Sequence, residues 1–141
     1  MLTKSQERKL EKILTKAQQD EDILAVLIYG SRARENQKAT PDSDLDICLV
    51  LHERNKEASN KDPTFISRKR LEYLSAIDPK KIDIQIFQQL PIYVKKRILE
   101  EGELKYRRDR AKLYELAYRT IQEYENFAPR LKEYLEGVKY G

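Results

Sequence analysis

The sequence predicts a single α/β domain, a small β-sheet flanked by helices, on the strength of three observations. Three short runs, residues 23–29, 44–51 and 81–87, have the length and patterning of strands, the first of them rich in β-branched and aromatic residues. Around them, apolar residues recur at helical spacing. Turn residues mark each change of period. The 141 residues are enough for one domain that buries roughly two-thirds of the surface its unfolded chain exposes.

Taken in order, Thr3 with Gln6 three residues on reads as a capping box, and Leu10, Ile13, Leu14 and Ala17 carry a helix to about Gln19. Asp20-Glu21-Asp22 breaks it. Residues 23–29 are an unbroken apolar run too short for a helix, which predicts a strand buried on both faces. Gly30-Ser31 ends that strand; residues 32–39 are polar and suit a short helix, and Thr40-Pro41-Asp42-Ser43 is turn chemistry. Residues 44–51 alternate, with Leu45, Ile47 and Leu49 on one face and Asp44, Asp46, Cys48 and Val50 on the other.

Residues 52–63 read as a charged surface loop. Phe65, Ile66, Leu71, Leu74 and Ile77 then space a helix that Asp78-Pro79 stops. Residues 81–87 form the third strand, Ile82, Ile84 and Ile86 facing one way and Asp83, Gln85 and Phe87 the other. Pro91 fits the first turn of a helix to Glu101, with Gly102 as its C-cap. From residue 109 to 134, Leu113, Leu116, Ala117, Ile121, Tyr124 and Phe127 keep helical spacing until Pro129, so the tail is a helix or a broken pair. We place the core at residues 1–104 and a helical extension of the same domain at 105–141.

Composition narrows the function classes. Lys and Arg number 28 against 24 Asp and Glu, a modest basic lean that suits phosphate-bearing ligands. The tracts Lys95-Lys96-Arg97 and 105–110 read as solvated helix faces, and with no Trp and only three Phe, nucleic acid is not an expected partner. No apolar stretch is long enough for a membrane span or a secretory signal, and the lone Cys48 cannot form an internal disulfide, so a cytoplasmic location is expected. Cys48 reads as a small core residue. His52 is the only histidine and lies in a charged loop, which argues against a histidine-based site. Tyrosines 106, 114, 118, 124, 134 and 140 suit either helix packing or a partner-binding surface.

Three features carry chemistry. Gly30-Ser31 directly follows a buried strand, where glycine lets backbone amides approach an anion; taken alone, such a pair is also an ordinary turn. Asp44 and Asp46 share one strand face with Cα atoms ~6.5 Å apart, near enough to share a metal. Magnesium takes one or two carboxylates and fills its octahedron with waters and phosphates. A polar strand edge, or an N-cap and its neighbour, is the other reading. Aspartate is depleted in strands, however, and two on one partly buried face repel each other until a cation intervenes. Asp83, alone among isoleucines, completes a three-carboxylate cluster if its strand lies beside residues 44–51, and otherwise stands on the solvent face of an edge strand. In the first case two metal ions held there would stabilise the attacking and leaving oxygens of a displacement at phosphorus.

Gly30-Ser31-Arg32-Ala33-Arg34, Ser43-Asp44-Leu45-Asp46-Ile47 and the later Asp83 together resemble the signature of the DNA polymerase β-type nucleotidyltransferase superfamily. Within it, the chain most resembles the MntA-type minimal nucleotidyltransferases, the antitoxin half of HEPN/MNT toxin–antitoxin pairs, and the stretch from Ile98 to Leu104 is similar to theirs as well. The resemblance implies the small mixed sheet of the polymerase β-like fold, ATP as substrate and Mg²⁺ as cofactor. It further implies that Gly30, Ser31, Arg34 and Ser43 bind the nucleotide and that Asp44, Asp46 and Asp83 hold the metal, Asp83 also activating the acceptor. That acceptor would be a tyrosine hydroxyl of a HEPN ribonuclease toxin, held in a hetero-oligomer and blocked by AMP. Two departures fall in the phosphate loop: Glu35 stands where many relatives have glycine, and the spacer to Asp44 is slightly longer than the commonest.

Two other functions use the same residues. One is transfer to a small molecule, as in the similar aminoglycoside nucleotidyltransferases, which usually carry a larger acceptor-binding region. The other is a non-catalytic antitoxin that neutralises by binding alone, against which the presence of all three aspartates speaks. Nothing in the sequence supplies a template channel.

Overall fold

The computed structural model describes residues 2–30, 44–53 and 62–140, the last three without their side chains. The elements are α1 (Lys4–Gln19), β1 (Ile23–Tyr29), β2 (Leu45–Leu51), α2 (Pro63–Ser75), β3 (Ile82–Ile86), α3 (Ile92–Glu101), β4 (Glu103–Arg107) and α4 (Arg110–Tyr140), with a 3-10 turn at Phe87–Gln89. The expected short helix at 32–39 and turn at 40–43 lie outside the described residues, as does most of the loop expected at 52–63.

One mixed sheet results, ordered β3-β2-β1-β4. β1 lies antiparallel to β2 and β4, while β2 and β3 run parallel, joined through α2 as a crossover. The alternation read from sequence sorts the side chains as expected. Leu45, Ile47, Leu49, Ile82, Ile84 and Ile86 pack with Leu10, Ile13 and Ala17 of α1 and Ile66 and Tyr73 of α2 on one face. Cys48 and Val50 pack on the other with Phe87, Ile98 of α3 and Leu113 and Leu116 of α4. β1 is one of the two central strands and is buried along nearly its whole length, which its unbroken apolar run requires. A register shift between Ile23 and Ala25 marks a bulge, and Leu24 and Ala25 both end on the second face.

The capping box of α1 is present: Gln6 N–H donates to Thr3 Oγ1 at 3.1 Å, and Thr3 N–H donates to Gln6 Oε1 at 3.1 Å. Gln6 is itself buried and also donates to the Lys81 carbonyl, tying the start of α1 to the start of β3. At the other end of α1, Arg108 donates to the carbonyls of Ala17, Gln18, Asp20 and Ile23 at 2.9–3.2 Å. A guanidinium there adds donors to carbonyls at the helix end and suits the negative end of the helix dipole.

Several expectations are corrected. Residues 103–107 form an edge strand, so the tract 105–110 is not a helix face: three of its residues lie in β4, Arg108 caps α1, and Asp109 accepts from Lys112 N–H at the start of α4. Of the two readings of the tail, the single helix holds: it runs 31 residues and continues through Pro129. Leu71, counted with the apolar face of α2, is 59% exposed, because α2 instead turns Ile66, Lys69 and Tyr73 inward. Lys69 there meets Asp20, Asp22 and Glu72 at 3.1–3.2 Å, and the Tyr73 hydroxyl donates to Asp20 at 2.9 Å. Gly102 does end α3, but with φ −70° it is not left-handed; glycine fits because a β-carbon would press on the Ile98 carbonyl and lie 3.3 Å from that of Ile28.

The tyrosines divide. Tyr106 packs against the first core, and Tyr124 carries the Lys96 ammonium 4.5 Å from its ring centre. Tyr114, Tyr118 and Tyr134 are exposed. No helix among the described residues is long and apolar enough to cross a membrane.

Candidate active site

The site forms where β1 ends and β2 and β3 begin. β1 stops at Gly30, whose φ of +76° lies in the left-handed region that a β-carbon disfavours. A β-carbon there would also collide with Oδ2 of Asp46. Glycine is therefore required twice, once for the turn and once for the room it leaves that carboxylate.

Asp46 stands on the middle of three adjacent strands. It is the register partner of Tyr29 across the antiparallel pair and of Asp83 across the parallel pair. The question left by sequence, whether Asp83 lies beside the Asp44-Asp46 strand, is thus answered by sheet order. Asp44 stands at the mouth of β2, exposed; Asp46 and Asp83 are half-buried. Directly below Asp46 on the same face sits the buried Cys48, whose thiol burial pushes well above its usual range, as befits a core residue.

Electrostatics record the crowding. Burial first, then the charges of Asp83 and Asp44, push Asp46 up to about 6. Burial first, then Cys48, Asp46 and Asp83, raise the Tyr29 phenol beyond its normal range. Tyr29 is thus a neutral hydroxyl beside the carboxylates at physiological pH. Asp83 is held from two sides: Gln85 Nε2 lies 3.3 and 3.2 Å from its two oxygens, and Arg70 Nη2 lies 3.7 Å from Oδ1.

Among the described residues no three His, Cys, Asp or Glu side chains close into a metal cage. The open set still fits a hard divalent cation. Its donors are all carboxylate oxygens, Asp46 is destabilised by like charge, and magnesium keeps positions for phosphates and water instead of demanding an all-protein cage. Of the residues expected to bind nucleotide, Gly30 sits at the end of β1, while Ser31, Arg34 and Ser43, together with Glu35, lie outside the described residues.

Residues 11–111 match the family described as polymerase beta, nucleotidyltransferase. The chain belongs to the polymerase beta nucleotidyltransferase family. Among relatives, a Methanocaldococcus jannaschii protein named a protein adenylyltransferase is 32% identical over 111 residues, covering 79% of this chain and 77% of that protein. Among solved structures, a toxin–antitoxin crystal structure with AMP-PNP superposes with a TM-score of 0.65 at 17% identity, covering 94% of this chain and 98% of that one. A chain of the structure of a tri-AMPylated Shewanella oneidensis HEPN toxin in complex with MNT antitoxin superposes with a TM-score of 0.61 at 14% identity, covering 93% and 98%. At such identities these structures establish the fold, which is that of the polymerase beta nucleotidyltransferases.

Sequence reasoning gave Tyr29, Gln85 and Arg70 no part in the site. Gln85 was within reach, since it shares a strand face with Asp83 two residues away. Tyr29 depended on the β1–β2 register and Arg70 on how α2 packs, neither of which has a local signal.

Proposed function

We propose that this polymerase beta nucleotidyltransferase is a magnesium-dependent protein adenylyltransferase that acts as an antitoxin, transferring AMP from ATP to a tyrosine of a cognate HEPN ribonuclease toxin. The observation that carries the reading is the register of Asp46 with Asp83 on adjacent parallel strands, facing the left-handed Gly30. Relatives support the acceptor class: one is named a protein adenylyltransferase, and one solved neighbour is a chain of an AMPylated HEPN toxin in complex with MNT antitoxin.

In this reading Gly30 and Ser31 approach the triphosphate with backbone amides, and Arg34 and Ser43 add contacts to it. Asp44 and Asp46 hold Mg²⁺, with Asp83 completing the carboxylate set. The bound cation supplies charge neutralisation for the phosphates. The acceptor hydroxyl oxygen forms a bond to the α-phosphorus, the bond from that phosphorus to the bridging oxygen breaks, and pyrophosphate leaves with the electron pair. Asp83 takes the hydroxyl proton. Catalysis is then mainly alignment and charge placement, as in phosphoryl transfer generally.

The test incubates the protein with Mg-ATP and its co-purifying partner and reads the partner's mass. An AMP increment that disappears in Asp44→Ala, with partner binding retained, is expected. Partner neutralised without any increment would leave an antitoxin that works by contact alone.

A further inference from the structure

Asp83 differs from Asp46 in the charges around it. Among the described residues, the side-chain charges acting on Asp46 are negative, those of Asp83 and Asp44. Asp83 has a cation beside it, Arg70 Nη2 at 3.7 Å. That arginine is not a free surface side chain swinging over the site. Its Nε donates to the Ile84 carbonyl at 2.6 Å, so the guanidinium is fixed to the backbone of the very strand that carries Asp83, one residue along. A planar guanidinium carries several donors in a rigid fork, so that Nε can hold a backbone carbonyl while Nη2 faces a carboxylate. Gln85, from the same strand face, donates from Nε2 to both Asp83 oxygens at 3.3 and 3.2 Å. The carboxylate is therefore oriented from two sides, and a permanent positive charge lies next to it.

A fixed cation at that distance opposes the approach of a divalent ion to the same oxygen. We propose that Arg70 is a positioning residue that divides the three aspartates by task, holding the Asp83 carboxylate for the acceptor hydroxyl and leaving divalent-metal binding to Asp44 and Asp46. This rests on the nucleotidyl-transfer reading above and sharpens it, from three carboxylates sharing metal to two that hold it and one kept for the acceptor.

Mn²⁺ binding to the full chain, measured by electron paramagnetic resonance with a non-hydrolysable ATP analogue present, provides a readout independent of turnover. Asp83→Asn should change the Mn²⁺ affinity less than twofold. Arg70→Ala should tighten it at least threefold by releasing the Asp83 carboxylate, and the double variant should return to within twofold of the parent. Equal affinity in Arg70→Ala and the parent, no measurable Mn²⁺ in any variant, or a loss above threefold in Asp83→Asn overturns the assignment. In turnover, Arg70→Ala should lower kcat about tenfold with KM for ATP within twofold, and Arg70→Gln should recover part of the loss. A rise in KM with a matching fall in melting temperature would give Arg70 a structural part only. If the parent transfers no AMP to any partner, the functional reading fails, while the Mn²⁺ cycle still decides whether Arg70 restrains Asp83.

Discussion

Gly30 and Asp46 share one space: the carboxylate of Asp46 occupies the position that a β-carbon on residue 30 would need. The turn that ends β1 and the half-buried acid on β2 are one device: a side chain at residue 30 would have to displace the Asp46 carboxylate.

Gly30→Ala tests this directly. The left-handed conformation costs an L-residue about 1–2 kcal/mol, and Asp46 must also move. We expect a fall of a few degrees in melting temperature and a loss of AMP transfer of at least a hundredfold, read by thermal melt and transfer assay. A variant that keeps both the fold and the activity would remove the coupling.

Asp46 sets a pH dependence of stability in the metal-free protein. Its folded pKa of about 6 lies above the ordinary carboxylate value of 3.8, so between these values the folded state binds more protons than the unfolded state. Its contribution is most favourable at low pH and is lost as pH rises through about 6. Above that, Asp46→Asn should be the more stable protein, by on the order of 1 kcal/mol once screening of a half-buried group is allowed for. Below pH 4 the difference should vanish. Chemical denaturation of both proteins across pH 4–8 reads it, and the same variant should lose transfer activity.

Lys69 tests the polar knot between α2 and the α1–β1 turn. Burial disfavours its charge, but hydrogen bonds to Asp20, Asp22 and Glu72 outweigh that and hold its pKa above the usual lysine value. The Lys69 ammonium therefore keeps its charge through neutral pH and loses it only in alkali. Lys69→Met removes the cation that Asp20, Asp22 and Glu72 share and should cost about 2 kcal/mol by urea denaturation, less than for a fully buried pair because Glu72 is half exposed. The kcat of AMP transfer should change less than twofold, since the knot lies on the opposite face from Asp46.

Arg108→Ala removes donors to four carbonyls around the end of α1. We expect a loss of about 1–2 kcal/mol in stability. Amide hydrogen exchange should quicken at residues 16–20 ahead of the rest of α1.

Much of this arrangement was legible in the residues themselves. Thr3 and Gln6 announced the start of α1, and the alternation of Leu45, Ile47 and Leu49 with Asp46 and Cys48 fixed which face each side chain takes. That alternation is readable because β2 carries helices on both sides and a one-residue slip would invert every partner. β4 was missed for the converse reason. Glu103-Leu104-Lys105-Tyr106-Arg107 is an edge strand with most residues exposed, and its charges, which keep an open edge from pairing with other chains, look like those of a solvated helix. Asp83 could be suspected as a strand residue, but its place beside Asp46 depends on a crossover that no local pattern records. Arg70 could not be read at all, because its contact arises from α2 lying against β3.

The sheet order β3-β2-β1-β4 also has a consequence for a chain that is still being made. β1 and β2, the two central strands, leave the ribosome first and set Tyr29 against Asp46. The edges are added later, β3 before β4. The repulsion between Asp46 and Asp83 therefore enters only when the crossover docks, after the hydrophobic pairing of Ile47 with Ile84 and of Leu49 with Ile86 is available to carry it. An emerging chain has Asp44 and Asp46 together early, and gains its third acid only on completing the half of the sheet that makes the strain tolerable.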